Sequence, residues 1–301
     1  MSIDEFANEL ARKLWAKTEE EFEVTKTSKY NGIELTGLRL TDSDISPVLY
    51  VNLFYEDYQN GRSMDSISDE LYQVFLDCDN ELITNGITDS LYTEHEKKLF
   101  VVAVNYKENL QLADKAPHER INDLMLIPRL LVSQDERGIA STIVTDDMMK
   151  TLQKSSTEIM QTAKENTLRL FPPKCIELGA AIEELAGENP SADIDMPSIY
   201  VIGNNQNING AAMMAFPDVI VSLLKENGVN EDCYILPSSI HELLVVPQSL
   251  GEPEELTNMV REVNETAVRR QDYLSDNVYK LDMEERQITI AGREKEIERE
   301  L

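Results

Sequence analysis

The densest run of reactive side chains in this chain is Pro237-Ser238-Ser239-Ile240-His241-Glu242. A serine, a histidine and a carboxylate are the parts of a nucleophile relay, in which the imidazole takes the hydroxyl proton and the acid orients the ring. Ser238, Ser239, His241 and Glu242 are therefore the candidate catalytic residues. Their spacing weighs against a relay assembled within the run. On a strand over 239–246, Ser239 and His241 share a face with Cβ atoms about 6.5–7 Å apart, whereas Glu242 points to the opposite face. Neither serine sits in a Gly-x-Ser-x-Gly elbow. Both faces of such a strand are largely apolar, so His241 or Glu242 is expected to be half-buried and to need a polar partner. The spacing favours a histidine that holds the fold over one that attacks a substrate.

Two further runs carry polar groups. Gly203-Asn204-Asn205-Gln206-Asn207-Ile208-Asn209-Gly210 has the glycine spacing of a phosphate loop but lacks the following Lys-Ser/Thr that reaches phosphate and magnesium. It reads as an Asn-rich connection tolerant of left-handed backbone, with Asn204 and Asn205 as candidate ligand contacts. His118-Glu119-Arg120 follows Pro117 as a polar cluster or surface turn, and adds His118 and Arg120 to the ligand-binding candidates. His95-Glu96 lacks the second histidine of a zinc-protease helix. Cys78, Cys175 and Cys233 form no CxxC pair, so neither a disulfide scaffold nor a thiolate metal site is expected. No EF-hand loop is present. The expectation is no metal and no cofactor.

These residues must be positioned by a fold that the composition can support. Of 301 residues, 42% are hydrophobic, enough for a sizeable core. The 56 acids against 28 Lys and Arg give a net charge of −28, spread over both ends of the chain. Proteins that grip nucleic-acid backbones cluster Lys and Arg, so direct nucleic-acid binding is not expected. No apolar run approaches the roughly 20 residues needed to cross a bilayer, so no membrane association is expected either. The start, Met-Ser-Ile-Asp-Glu-Phe, has no basic or apolar signal region, which leads us to expect the cytoplasm.

Local patterns set the elements. Ser2 and Glu5 form a capping box before a helix carrying Phe6, Leu10 and Leu14 that stops near Glu21, with Trp15 and Phe22 extending its buried stripe. Asn31-Gly32 joins a hairpin of Phe22–Ser28 and Ile33–Leu40, with a bulge expected at Gly37. A strand over 48–52 and a helical turn over 53–58 follow, then a helix over 64–77. Strands are expected over 99–104, 121–132 and 139–144, the second containing Pro128 and so placed at an edge or bulge. Thr145 caps a short helix, and Ser155 or Ser156 opens a longer one ended by Pro172-Pro173. A helix over 174–186 leads to a linker at 187–193. Strands over 198–202, 211–215, 234–236, 240–246, 278–282 and 287–290 alternate with helices that begin at Pro217 and Pro253, before a charged tail from Arg293. Gly138-Ile139-Ala140 and Gly210-Ala211-Ala212 form a weak internal echo. The order mixes hairpins with helices, which predicts an α+β fold of mainly antiparallel sheets with packed helices. The linker suggests regions 1–186 and 187–301, or one continuous unit.

A series of blocks carries a resemblance. It runs through Tyr30-Asn31-Gly32-Ile33-Glu34-Leu35-Thr36-Gly37-Leu38, Phe54-Tyr55-Glu56-Asp57-Tyr58, Val104-Asn105-Tyr106 and Pro117-His118-Glu119-Arg120. It continues through Glu165-Asn166-Thr167-Leu168-Arg169-Leu170, Ile208-Asn209-Gly210-Ala211-Ala212 and Ile235-Leu236-Pro237-Ser238-Ser239-Ile240-His241-Glu242. Leu274-Ser275-Asp276-Asn277-Val278-Tyr279 closes it. Together these resemble a family of uncharacterised proteins from anaerobic gut bacteria, classed as a domain of unknown function, over roughly residues 24–283. The resemblance implies kinship along nearly the whole chain and assigns no activity. With no complete catalytic constellation, cofactor loop or metal set in the sequence, the functional expectation is a non-enzymatic cytoplasmic protein that binds a protein partner. The alternatives are a Ser/His hydrolase-like enzyme or an acidic mimic of nucleic acid.

Overall fold

The computed structural model describes residues 1–41, 48–84, 94–135, 138–179, 198–237 and 239–292. The chain divides into two compact units, Met1–Glu94 and His95–Leu301. The linker expected at 187–193 and the tail from 293 lie outside the described residues.

In the first unit, α1 (Ile3–Thr18) starts in the expected capping box. Ser2 Oγ accepts the Glu5 amide at 3.2 Å, and the Glu5 carboxylate accepts the Ser2 amide at 2.8 Å. The helix ends before Glu21, because Glu19 turns left-handed at φ 61°. Phe6, Leu10 and Leu14 are buried with Leu38, Leu49, Ile67 and Leu71. Trp15 is 57% exposed, one helical step off that stripe, whereas Phe22 is buried.

Strands β1 (Phe22–Ser28) and β2 (Glu34–Leu40) form the hairpin, with Asn31 and Gly32 both at positive φ. The bulge expected at Gly37 does not form, and pairing runs unbroken from Phe22↔Leu40 to Ser28↔Glu34. Gly37 instead pairs with Tyr50 of β3 (Leu49–Tyr50), where a Cβ would stand 2.5 Å from the Val48 side chain. Its bareness admits the third strand. Helices α2 (Asn52–Gln59) and α3 (Met64–Thr84) follow, and Phe75 of α3 meets Phe22 edge-on at 5.2 Å.

The second unit contains two antiparallel sheets. The first is built from β4 (Leu99–Asn105), β5 (Glu119–Ile121), β6 (Leu124–Asp135) and β7 (Gly138–Ile143). All seven residues of β4 are buried, as its unbroken apolar run requires of a strand covered on both faces. β6 is central, with β4 along one side and β5 then β7 along the other.

Pro128 sits in the middle of β6, opposite Val101, and not at an edge. Its carbonyl accepts the Val144 amide at 3.0 Å, so its hydrogen-less nitrogen faces the same side. On that side β5 has ended opposite Leu126, and β7 begins opposite Arg129. The gap between two successive partners accommodates the proline. The strand's irregularity falls later, between Leu131 and Ser133.

Thr145 caps α4 (Asp146–Leu152), and Ser155 opens α5 (Ser156–Leu170) with a second capping box. The residues after Pro172 form a strand, β8 (Pro173–Glu177), where a helix was expected. Two prolines hold the chain extended, and Lys174, Cys175, Ile176 and Glu177 pair with β9 (Tyr200–Asn204). The expected division at 186/187 therefore runs between two paired strands of one sheet. That sheet is completed by β10 (Cys233–Leu236), β11 (Leu243–Pro247), β12 (Tyr279–Asp282) and β13 (Gln287–Ile290), in the order β13-β12-β10-β11-β9-β8. Ala211–Ala215, expected as a strand, belongs to a 3-10 segment, Gly210–Ala215, whose small residues are buried against β4 and β9. The echo with Gly138, which opens a strand, is therefore not structural. Helices α6 (Pro217–Glu226) and α7 (Pro253–Thr266) begin at their prolines as expected. The architecture is α+β with antiparallel sheets.

Candidate functional site

Ser238 lies outside the described residues. Its neighbours Ile240 and His241 do not belong to β11, which begins only at Leu243. They form a bend stapled on three sides. The Ile240 amide donates to the Asp272 carbonyl at 2.9 Å, and the Ile240 and His241 carbonyls accept the Ala211 and Gly210 amides at 3.2 and 2.8 Å. The Ser239 hydroxyl accepts the backbone amide of His241 at 3.0 Å.

The half-buried imidazole spends both nitrogens. Nδ1 faces the Asn209 amide at 3.4 Å, and Nε2 lies 3.3 Å from Asp272 Oδ1. A backbone amide can only donate, so Nδ1 accepts and the proton sits on Nε2, pointed at the carboxylate. Ser239 is thus turned to the backbone of His241, not to its ring. The acid that orients the ring is Asp272 and not Glu242, which is exposed one residue beyond. Asp272 is 31 residues from His241, and nothing local in the sequence points to it.

Gly210 explains the glycine spacing of the Asn-rich loop. A Cβ there would stand 2.3 Å from the His241 carbonyl oxygen and 2.7 Å from Gly203 Cα. The glycines admit close backbone approach, with no phosphate needed. Asn204, 2% exposed, holds its own loop: Nδ2 donates to the Ile208 carbonyl at 2.7 Å and Oδ1 accepts the Gln206 amide at 2.9 Å. Asn205 is exposed, and its amide donates to the Pro172 carbonyl.

A second polar centre forms where the turn between β5 and β6 meets β12. Asn122 takes a positive φ of 56° in this turn, which places Asp123 beside the segment before β12. Asp123 Oδ2 accepts Ser275 Oγ at 2.6 Å and Asn277 Nδ2 at 2.9 Å, and Oδ1 accepts the Tyr279 hydroxyl at 2.8 Å. Tyr279 and Ser275 are fully buried. Asn105 Nδ2 adds a bond to the Leu274 carbonyl at 2.9 Å, and Asn122 Nδ2 one to the Ile288 carbonyl at 3.1 Å. Burial and the Asp123 charge push the Tyr279 hydroxyl well above its ordinary pKa. Burial, with Asp276, Glu108 and Asp123 nearby, pushes Tyr273 up to about 12.

This network floors an open cleft of about 620 Å³, whose rim carries Lys107, Glu108, Arg120, Tyr273, Asp276 and Thr289. Arg120 lies flat on Tyr106, its guanidinium carbon 4.1 Å from the ring centre, and one of its nitrogens donates to the Asn122 carbonyl at 3.3 Å. His118 does not enter the cleft. Its Nδ1 donates to the Ala116 carbonyl at 3.2 Å, and it lines a separate hollow with Ser156, Met160 and Lys164. Of the four expected ligand contacts, only Arg120 lines this cleft.

The cleft was missed because residues 121–132 read as one strand. The Asn122-Asp123 turn inside that run was the available indication. Among the described residues, no group of three or more His, Cys, Asp and Glu is placed to hold a metal ion. No helix among them is long and apolar enough to cross a membrane.

A family model matches the chain over residues 3–283, described as a family of unknown function, DUF5688. No curated protein and no solved structure matches it.

Proposed function

The chain belongs to this family of unknown function, and from that premise we propose that it acts without catalysis, by holding a protein partner in the Asp123 cleft of its second unit. The observation that carries the reading is a contrast between the two polar centres. At the His241 bend the ring nitrogens meet the Asn209 amide and Asp272, and the Ser239 hydroxyl accepts the His241 amide, so among the described residues no hydroxyl is bonded to the imidazole for activation as a nucleophile. At the cleft, a fixed hydrogen-bonded floor supports a rim that mixes charged, aromatic and backbone groups over a volume fit for several side chains.

Thr289 is exposed and lines the cleft, so Thr289→Trp places a bulky ring at its rim and leaves the Asp123 hydrogen bonds unaltered in composition. The full-length protein immobilised in native lysate should retain a partner that the Thr289→Trp protein fails to retain. Equal recovery by both proteins would refute the reading. So would turnover of a generic ester that disappears in His241→Ala, since the bend would then be catalytic.

A further inference from the structure

The cleft's charges are unequally committed. Glu108 accepts Arg270 at 2.6 Å. Asp276 accepts Asn264 Nδ2 at 2.8 Å, and Asp123 accepts three donors. Each carboxylate at the rim and floor thus already has a donor, cationic for Glu108 and neutral for Asp123 and Asp276, which keep their charge. Among the described residues, Lys107 and Arg120 meet no carboxylate, although acids outnumber Lys and Arg two to one in this chain. Stacking on Tyr106 occupies one face of the Arg120 guanidinium and leaves its other N–H groups uncommitted.

The same cleft is lined by a sheet edge. β13 ends the six-stranded order. Thr289 and Gln287 face β12, since Ala291 donates to Val278 in the same alternation. Ile288 and Ile290 therefore turn their backbone groups outward. Asn122 takes the Ile288 carbonyl, and Ile290 lines the cleft.

We infer that the cleft binds an extended acidic segment of a protein partner, whose backbone pairs with β13 at Ile290 while its carboxylates meet Lys107 and Arg120. This rests on the binding reading above and names the chemistry of the segment held. Edge pairing supplies affinity for any extended chain, and the two cations select the acidic one. The chain's overall −28 charge does not forbid this, because charges beyond about 8 Å are largely screened at physiological salt.

The test is fluorescence anisotropy with the full-length protein and a labelled hexapeptide alternating valine and glutamate. Its controls are the valine–lysine peptide, a glutamate peptide with N-methylated backbone, and inorganic phosphate as competitor. The acidic peptide should bind, and the lysine and N-methylated peptides should bind at least tenfold more weakly. K107E/R120E should lose at least tenfold, and K107Q/R120Q, which adds no acid, a smaller amount in the same direction. Circular dichroism should show both variants folded. No binding of the acidic peptide, or binding that neither variant weakens, overturns the inference. Full binding of the N-methylated peptide removes the strand pairing, and displacement by millimolar phosphate reduces the site to a simple anion site. If the acidic peptide fails while Thr289→Trp still abolishes partner capture, the inference falls and the binding function stands.

Discussion

Replacing Asp123 by alanine tests whether this one carboxylate ties the β5–β6 turn to β12. The substitution strands two fully buried donors, the Tyr279 and Ser275 hydroxyls, and one half-buried donor, the Asn277 amide. An orphaned buried donor costs about 1–3 kcal/mol, and the Asn277 amide can regain water at lower cost. Because the three donors share one acceptor, their losses do not simply add, and a total of roughly 4 kcal/mol is expected. For a unit of this size, that corresponds to a melting temperature lower by about 8–16 °C. Asp123→Asn keeps one acceptor oxygen and should cost roughly half as much. Tyr279→Phe removes a donor together with its need, so it should cost only about 1–2 kcal/mol. In the double variant, Asp123→Ala no longer strands the phenol. The double loss should then fall short of the sum by about 1–3 kcal/mol, read from urea unfolding followed by far-UV circular dichroism. A loss below about 1 kcal/mol for Asp123→Ala, or strict additivity with Tyr279→Phe, would refute the network's role.

Gly210→Ala should destabilise the second unit by roughly 3 kcal/mol, because the new methyl meets the His241 backbone oxygen and not a yielding side chain. Denaturant midpoints measure this, and Gly228→Ala, with nothing within 4 Å but φ +83°, serves as a control for backbone strain alone. Ser2→Ala should cost about 1 kcal/mol through loss of the capping box, visible as faster amide exchange in the first turn of α1. Burial pushes the Cys175 thiol up to about 11 and, with Glu231 and Asp232 adding to it, the Cys233 thiol up to about 12. At pH 8 both should therefore resist iodoacetamide in the native protein and react in urea, as peptide mapping would show. These same shifts fix the alkaline limb of stability. The folded state holds the thiol protons, and the Tyr273 proton, more tightly than the unfolded chain does. Stability is thus complete below the unfolded thiol pKa near 9 and lost as pH rises through the folded values near 11–12, so urea midpoints should fall over that window.

Short-range chemistry was legible in the sequence. The capping box at Ser2, the Asn31-Gly32 hairpin and the proline-led helices at Pro217 and Pro253 depend on neighbours within a few residues, and each appears as read, while of the two serines offered as the start of α5 it is Ser155 that caps it. Readings failed where a distant strand decided the outcome. Gly37 suggested a bulge but makes room for β3, and Lys174–Glu177 has a helix-compatible composition but is captured by β9. Ala211–Ala215 lies in the space between β4 and β9, where tight packing of small residues selects a 3-10 turn. The site divides the same way. Ser239, His241 and Arg120 were visible as residues, but the groups that hold the imidazole and the guanidinium in place, Asp272 and Asn209 for His241 and Tyr106 for Arg120, are contributed by other segments. Asp123 gains its three donors from a segment more than 150 residues away, a coincidence no local pattern encodes.

Pro128 has a consequence for how this chain can change in length. Its ring is tolerated only opposite the break between β5 and β7. One residue added or removed between Asn122 and Pro128 would swing the proline toward β4, where an N–H is required, and would transpose every inward and outward side chain of the segment. Natural variants of this protein should therefore gain and lose residues between β6 and β7 and leave the five-residue stretch from Asp123 to Ile127 constant in length, as a ruler against which both smaller strands are set.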